Sequence, residues 1–307
     1  MFTFGLSKIV IMEYSRRRFL GTTAAGMGAV MLGSCFSRNK FFDPYDRVLL
    51  GKTGIRTTRL CMGTGLRGAN RQAEIIRTGY EYAVDLVREA YERGVRAFDC
   101  ADIYGTHGVM YDALKSYPRK DYTIITKIWF APRVLPEAER PNAEIVVERF
   151  LRELRTDYID IVQLHCVTSE NWNSDLSEHM TLLDNLKRKG IIRAHGLSCH
   201  SLQAAETAIR EPWVDTIHLR INAYGPKMDG TVEKIEDVAK QLHQAGKSVI
   251  GMKILGEGEL TDCDEKIDNC FSYILHLGTV DVMTIGMVKS DDIIDTESRI
   301  RKVQNIS

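Results

Sequence analysis

The chain has 307 residues, 44% of them apolar, enough to bury the core of one large α/β domain or of two smaller ones. Forty-one basic against 41 acidic residues give zero formal charge, which argues against a dedicated nucleic-acid binder with its basic stripe but leaves room for a local phosphate site. Seven cysteines occur without CxxC or zinc-type His/Cys spacing, so iron–sulfur and structural zinc readings are poor and no metal site is expected.

Ser15-Arg16-Arg17-Arg18-Phe19-Leu20 precedes an uncharged run, rich in Ala, Gly and Met, that ends at Ser34. A charged start followed by a short apolar stretch is the pattern of an export signal. The run is short for spanning ~30 Å of hydrocarbon. The twin arginine with Phe-Leu resembles the signal of the twin-arginine pathway, which exports folded proteins and would make its machinery a partner. That resemblance also suggests Met12 as the start of translation. Leu32-Gly33-Ser34-Cys35 resembles a lipobox, which would place a lipid anchor on Cys35; the alternative is a soluble periplasmic protein cut nearby. Residues 1–35 therefore read as an export signal and 36–48 as a lead-in. The barrel domain described next then covers 49–307, and the expected location is periplasmic.

From Leu49 onward, apolar runs of strand length fall at 58–63, 96–100, 122–127, 159–165, 192–198, 214–221, 248–255 and 280–286. Amphipathic stretches such as AEIVVERFLRELR and VEKIEDVAKQLHQAG separate them, several ending in Gly or before Pro as helices do. The final helix is expected at 291–303. Eight strands, each followed by a helical segment, predict an α/β fold: a single (β/α)8 TIM barrel with an eight-stranded parallel sheet. No GxGxxG opens a helix after the first strand, so a Rossmann dinucleotide site is not expected.

In such a barrel the functional face is the C-terminal end of the strands. Asp99, Lys127 and His165 fall at the ends of the second, third and fourth runs, with Tyr104 just beyond the second and Ser198 and Lys253 on the same rim. Taken singly, each has a bland reading as a cap, a paired ion or a satisfied core residue. Together they point to a functional site on this rim.

FDCADIYG, ITKIW, DYIDIVQLH, KGIIRAHGLS and AGKSVIGMKILGEG, in that order after LGKTGIRTTRLCMGTG, resemble the aldo-keto reductase superfamily over most of the chain beyond Leu49. The resemblance implies a (β/α)8 barrel, a nicotinamide cofactor held without a Rossmann fold, and a catalytic tetrad of Asp99, Tyr104, Lys127 and His165. Its chemistry is physically coherent. Negative charge building on a carbonyl oxygen needs a proton as it forms. A phenol of pKa ~10 is a reluctant acid, and a Lys127 ammonium beside it would lower that pKa. Asp99 would keep Lys127 charged, and His165 would orient the carbonyl. Tyr104 is then the acid in reduction and the base in oxidation, acting on an aldehyde, ketone or sugar carbonyl or on the corresponding alcohol.

The same resemblance assigns cofactor contacts to Gly63, Thr64, Ser198, His218, Met252, Lys253, Leu255, Gly286, Lys289 and Ser290. Here the sequence departs from the pattern. The usual Ser-Asn after the fifth strand is Ser198-Cys199, His218 stands nearest the usual glutamine, and Met252 takes the place of a stacking aromatic, its polarizable sulfur able to cover a flat ring. Lys289, Ser290 and the amides of a helix start suit a phosphate, which favours NADP(H) over NAD(H). The acids Asp291 and Asp292 that follow are also what an ordinary N-capped helix carries.

Little follows the last helix, so substrate choice is expected to fall to loops 129–140 and 168–175, where Trp129 and Trp172 offer aromatic surface. Cys100 and Cys166 read as packing thiols on outward-facing positions. Cys263 and Cys270 could pair if the intervening chain folds back. Two other functions compete: a non-catalytic barrel that binds nicotinamide nucleotide as a sensor or subunit, and a barrel turned to a substrate with no redox step. The fold alone does not choose between them.

Overall fold

The computed structural model describes residues 41–305; the expectations for the export signal, for Met12 and for Cys35 lie outside them. An antiparallel hairpin of β1 (Arg47–Leu49) and β2 (Arg56–Thr58) precedes eight parallel strands. These are β3 (Leu60–Gly63), β4 (Ala97–Asp99), β5 (Thr123–Ile128), β6 (Ile159–Val167), β7 (Ile192–Cys199), β8 (Thr216–Arg220), β9 (Ser248–Met252) and β10 (Val282–Gly286). β10 lies between β9 and β3, pairing Met283 with Leu60, and so closes the (β/α)8 barrel that the eight apolar runs predict.

Each barrel strand feeds helix on the outside. α1 (Glu74–Arg77) and α2 (Tyr80–Arg93) follow β3, α3 (His107–Leu114) follows β4, and α4 (Ala143–Leu154) follows β5. α5 (Trp172–Asp175) and α6 (Ser177–Arg188) follow β6, and α7 (Leu202–Arg210) follows β7. α8 (Val232–Gln244), α9 (Asp264–Leu277) and α10 (Ser290–Lys302) complete the ring. The local causes are visible in the sequence. Asn142, Ser201 and Thr231 accept the amides of Ile145, Ala204 and Lys234 and so start α4, α7 and α8. In α4, Val146, Val147, Phe150 and Leu154 recur on one face and are buried against the sheet, each contributing on the order of 1.5–3 kcal/mol.

Side chains alternate in and out along each strand. Inside the lower barrel, Cys61, Ala97, Ile125, Ile161, Ala194, Ile250 and Val282 form one apolar layer, closed from below by Leu50 and Ile55 of the hairpin loop. Gly51, at φ +49, lets that loop approach the barrel: a Cβ there would lie 2.6 Å from the Gly246 carbonyl oxygen and 2.7 Å from the Ser248 nitrogen. The hairpin is absent from the sequence reading because strands of three residues are too short to show alternation. The first run, read as 58–63, is in fact interrupted at Arg59, whose amide turns away to the Asp46 carbonyl.

Two further expectations are corrected. The seventh run, read to 255, stops at Met252, because Lys253 takes a left-handed conformation (φ +58). Cys263 and Cys270 are both free, Cys263 as the N-cap of α9 and Cys270 within the helix. Seven residues of helix separate them by about 10 Å, beyond the reach of a disulfide.

Candidate active site

Alternation carries the barrel interior from apolar below to polar above. Two residues beyond Ala97, Ile125 and Ile161 stand Asp99, Lys127 and Gln163, with His165 two further along β6. Lys127 Nζ is paired with Asp99 Oδ1 and donates to the Cys100 carbonyl at 3.0 Å. Asp99 is 4% exposed and Lys127 1%, so neither charge has water to fall back on. Burial pushes the Asp99 carboxyl above its ordinary range, and the Lys127 ammonium offsets part of that shift.

Tyr104 ends a single 3₁₀ turn (Asp102–Tyr104), and Gly105 at φ +74 then redirects the chain into α3. Its ring centroid lies 5.2 Å from Lys127 Nζ and its hydroxyl 3.4 Å from His165 Nε2. Trp129 packs edge-on to the His165 ring, with centroids 5.5 Å apart. Asp99, Tyr104, Lys127 and His165 therefore meet at one mouth, as the strand-end positions predict.

The electrostatics differ from the expectation in one respect. The Tyr104 phenol is pushed up, not down, by burial first and then by the Asp99 charge. The Lys127 ammonium, held by Asp99 and by Cys100 and 5.2 Å from the ring centroid, does not outweigh these two effects. Tyr104 thus stands protonated, as a general acid must. The His165 imidazole is driven well below its ordinary value by burial, then by Lys127, His200 and Lys253. It stands neutral, able to exchange single hydrogen bonds with Tyr104 and with a carbonyl, and its buried Nδ1 has no partner.

The assigned cofactor contacts divide into two groups. Ser198, Met252 and Gly286 lie at strand ends on the same rim, and Ser198 Oγ accepts the Cys166 amide at 2.9 Å, which leaves its proton to offer a carboxamide oxygen. The Gly286 position has room: a Cβ there would meet only Leu66, at 3.7 Å. These residues fit a flat, amide-bearing ring.

The others are engaged within the protein. Thr64 Oγ1 donates to the Asp99 carbonyl at 2.8 Å and lies 2.9 Å from Thr106 Oγ1. Gly63 is a packing glycine, since a Cβ would lie 2.9 Å from Thr284 Cγ2. His218 is 1% exposed with both ring nitrogens turned into the barrel. Lys253 Nζ pairs with Glu257 at 2.9 Å, and the Leu255 carbonyl accepts the Gly258 amide. Ser290 Oγ donates to Glu89 at 2.7 Å, while Asp292 Oδ2 takes the amides of Val288 and Lys289 at 2.9 and 3.2 Å. The phosphate donors expected at the start of α10 thus already have an internal anion.

Sequence reasoning missed Asp102. Its carboxylate, 3% exposed, is gripped by Arg71 at 3.0 and 3.1 Å and by Arg149 at 2.6 Å. Arg71 continues to Glu137 at 2.6 Å, tying loop 129–140 to the turn that carries Tyr104. A second acid inside FDCADIYG is the signal that could have found it. Trp172, expected on the substrate side, is fully buried with its indole donating to the Ala204 carbonyl; only Trp129 reaches the mouth. Cys166 is also misplaced by simple alternation. The β6–β7 register shifts between Leu164 and Val167, which puts Cys166 at φ +54 with Sγ 3.5 Å from His200 Nε2. Burial pushes its thiol up to about 11, so it is no thiolate nucleophile.

Comparison with known proteins agrees with this geometry. Aldo-keto reductase YhdN of Bacillus subtilis is 28% identical over 193 residues, covering 60% of this chain and 56% of that protein. The chain spans 55–61% of the length of such curated relatives. Aldo-keto reductase AKR11C1 from Bacillus halodurans superposes with a TM-score of 0.69 at 20% identity, covering 84% of this chain and 92% of that one. An aldo/keto reductase from Klebsiella pneumoniae in complex with NADP and acetate superposes with a TM-score of 0.63 at 17% identity, covering 85% of this chain and 91% of that one. A profile of the aldo/keto reductase family matches residues 59–275, which run from the break before β3 into α9 and include all four residues of the polar mouth, and on that match the chain belongs to the aldo/keto reductase family.

Proposed function

We propose that the chain is a nicotinamide-dependent oxidoreductase that interconverts an aldehyde, ketone or sugar carbonyl with its alcohol. The observation that carries this is the meeting of Tyr104, Lys127, Asp99 and His165 at the strand ends. A bound dinucleotide would supply or accept the hydride. Everything else falls to the chain. His165 Nε2 and the Tyr104 hydroxyl converge on one oxygen position. Tyr104 releases its proton as charge develops there, and the Lys127 ammonium, held in place by Asp99, stabilises the phenolate left behind. Ser198 and Met252 would hold and cover the dinucleotide's nicotinamide ring. Tyr104→Phe should lower kcat by about 10²–10⁴ against a panel of aldehydes, ketones and sugars, with the dinucleotide Kd unchanged by fluorescence titration. Turnover near wild type, or a wild-type protein that binds neither NADPH nor NADH, would overturn the reading.

The cofactor is NAD(P)(H). A preference for NADP rests on Lys289, because Ser290 and the neighbouring amides are engaged by Glu89 and Asp292. A ratio of NADP to NAD affinity that does not fall in Lys289→Ala would remove that support.

We also read residues 1–35 as a twin-arginine-type export signal, with Cys35 as a lipid attachment point and a periplasmic destination. Support comes from the Arg16-Arg17-Arg18-Phe19-Leu20 pattern and the run to Cys35. Fractionation of cells expressing the chain, with and without Arg16→Lys and Arg17→Lys, tests the route, and mass measurement of Cys35→Ala against wild type tests lipidation.

A further inference from the structure

His218 was expected to face the cofactor, and its surroundings point elsewhere. The ring is held in the barrel by three strands besides its own. Nδ1 lies 2.7 Å from the Gln163 side-chain amide on β6, whose other end lies 2.9 Å from Thr216 Oγ1; with that amide turned to donate to Nδ1 and to accept the Thr216 hydroxyl, the single proton of a neutral ring sits on Nε2. Nε2 lies 3.3 Å from Thr284 Oγ1 on β10 and 3.3 Å from Asp99 Oδ1 on β4. That carboxylate oxygen is the one already bound by Lys127 of β5. His218, Gln163 and Thr216 are at most 1% exposed, so no solvent mediates these contacts. A bare imidazole nitrogen and a bare carboxylate oxygen at this separation repel; with a proton between them they attract.

We propose that His218 is a positioning residue for proton transfer: a proton held between its Nε2 and Asp99 Oδ1 fixes the carboxylate, and through it the Lys127 ammonium beside Tyr104. Gln163 is the backstop that sets the rotation of the ring. The two residues act together because each fills the hydrogen bond the other needs inside a dry barrel. Glutamine and histidine in these places are legible in the sequence as polar residues in step with His165 and Thr216 on the inward faces of β6 and β8. The inference builds on the reductase reading and assigns His218 a role away from the dinucleotide.

The test uses the full chain and five variants. His218→Leu should lower kcat about tenfold, the worth of one hydrogen bond to a charged group, with the KM for the dinucleotide within about twofold of wild type. His218→Gln, whose amide nitrogen reaches the place of Nε2, should restore most of that loss. Gln163→Leu should reproduce part of it, and adding Gln163→Leu to His218→Leu should cost little more. A readout independent of turnover is the ¹⁵N spectrum of histidine-labelled protein. The His218 imidazole signals, assigned by their loss in His218→Gln, should move in Asp99→Asn. If that spectrum is unmoved by Asp99→Asn, or if His218→Leu raises the dinucleotide KM while kcat holds, the proposal fails. If wild type reduces no carbonyl, the reductase reading fails instead, and the spectrum still decides the contact.

Discussion

Gly65 sits against the working end of Tyr104, so a single methyl group tests whether the phenol must stand where it does. A Cβ built on Gly65 would lie 2.6 Å from Tyr104 Cε1 and closer still to Cζ and Cε2. Carbon atoms rest at about 3.5–4.0 Å, so Gly65→Ala requires roughly 1 Å of retreat from one side. The loop is poorly able to give. Thr64 is bonded to the Asp99 carbonyl through its amide and its hydroxyl, the Gly68 amide returns to the Gly65 carbonyl, and the Asn70 and Arg71 amides are held by Val134 and Ile103. The Tyr104 ring, tethered on its polar side by a 3.4 Å contact to His165, is the softer partner. Moving its hydroxyl by that amount should lower kcat on the order of 10²-fold, the usual effect of a misplacement of about 1 Å. Overpacking should remove about 1–3 kcal/mol of stability. Steady-state kinetics, a urea unfolding curve and dinucleotide titration on the same preparation separate these effects. A folded Gly65→Ala with kcat within threefold of wild type would refute the claim that this loop fixes the phenol.

Acid should destabilise the fold through its buried imidazoles. Burial, with Arg220 and Lys253, pushes His200 down from 6.5 to about 4, and His165 and His218 are also lowered by burial. An imidazole lowered on folding binds its proton more weakly in the native state, so its stabilising share is complete above 6.5 and is lost as pH falls towards the folded value. His200 alone should remove about 2 kcal/mol between pH 7.5 and pH 5, and a urea midpoint that is flat across that interval would contradict the assignment. Asp102→Ala should destabilise by about 2–3 kcal/mol, somewhat below the 3–5 of a fully buried pair, because Arg71 and Arg149 remain 27% and 28% exposed. A loss below about 0.5 kcal/mol in the same assay would show that Asp102 does not hold the loop.

The parts of the molecule legible in the sequence are those fixed by periodicity. Eight apolar runs closed into a barrel because β-strands buried on both faces read as continuous apolar stretches. The tetrad fell on the rim because Asp99, Lys127 and His165 stand at the ends of such runs and Tyr104 just beyond one. What escaped were features set by close approach in space. The hairpin under the barrel depends on Gly51 passing within contact of Gly246 and Ser248, far along the chain. Cys166 turned towards His200 because of a register shift that alternation does not contain. Trp172 looked like a surface on a loop, yet α5 folds it under Ala204.

The cofactor side is harder to read for a different physical reason. A polar residue in a sequence has one hydrogen-bonding capacity and no indication of who uses it. Thr64, His218, Lys253 and Ser290 all have the chemistry for a dinucleotide, and in the fold they are engaged by Asp99, Gln163, Glu257 and Glu89 respectively. Each of those partners is distant in sequence except Glu257. The polar mouth escapes this ambiguity because it consists of internal contacts: Lys127 is bound to Asp99, and Tyr104 stands against Lys127 and His165. A site whose members act on one another can be recognised from their spacing along the chain. A site whose members act on a ligand requires knowing which of them the fold has left with a hydrogen bond to give, and on this rim Ser198 is such a residue.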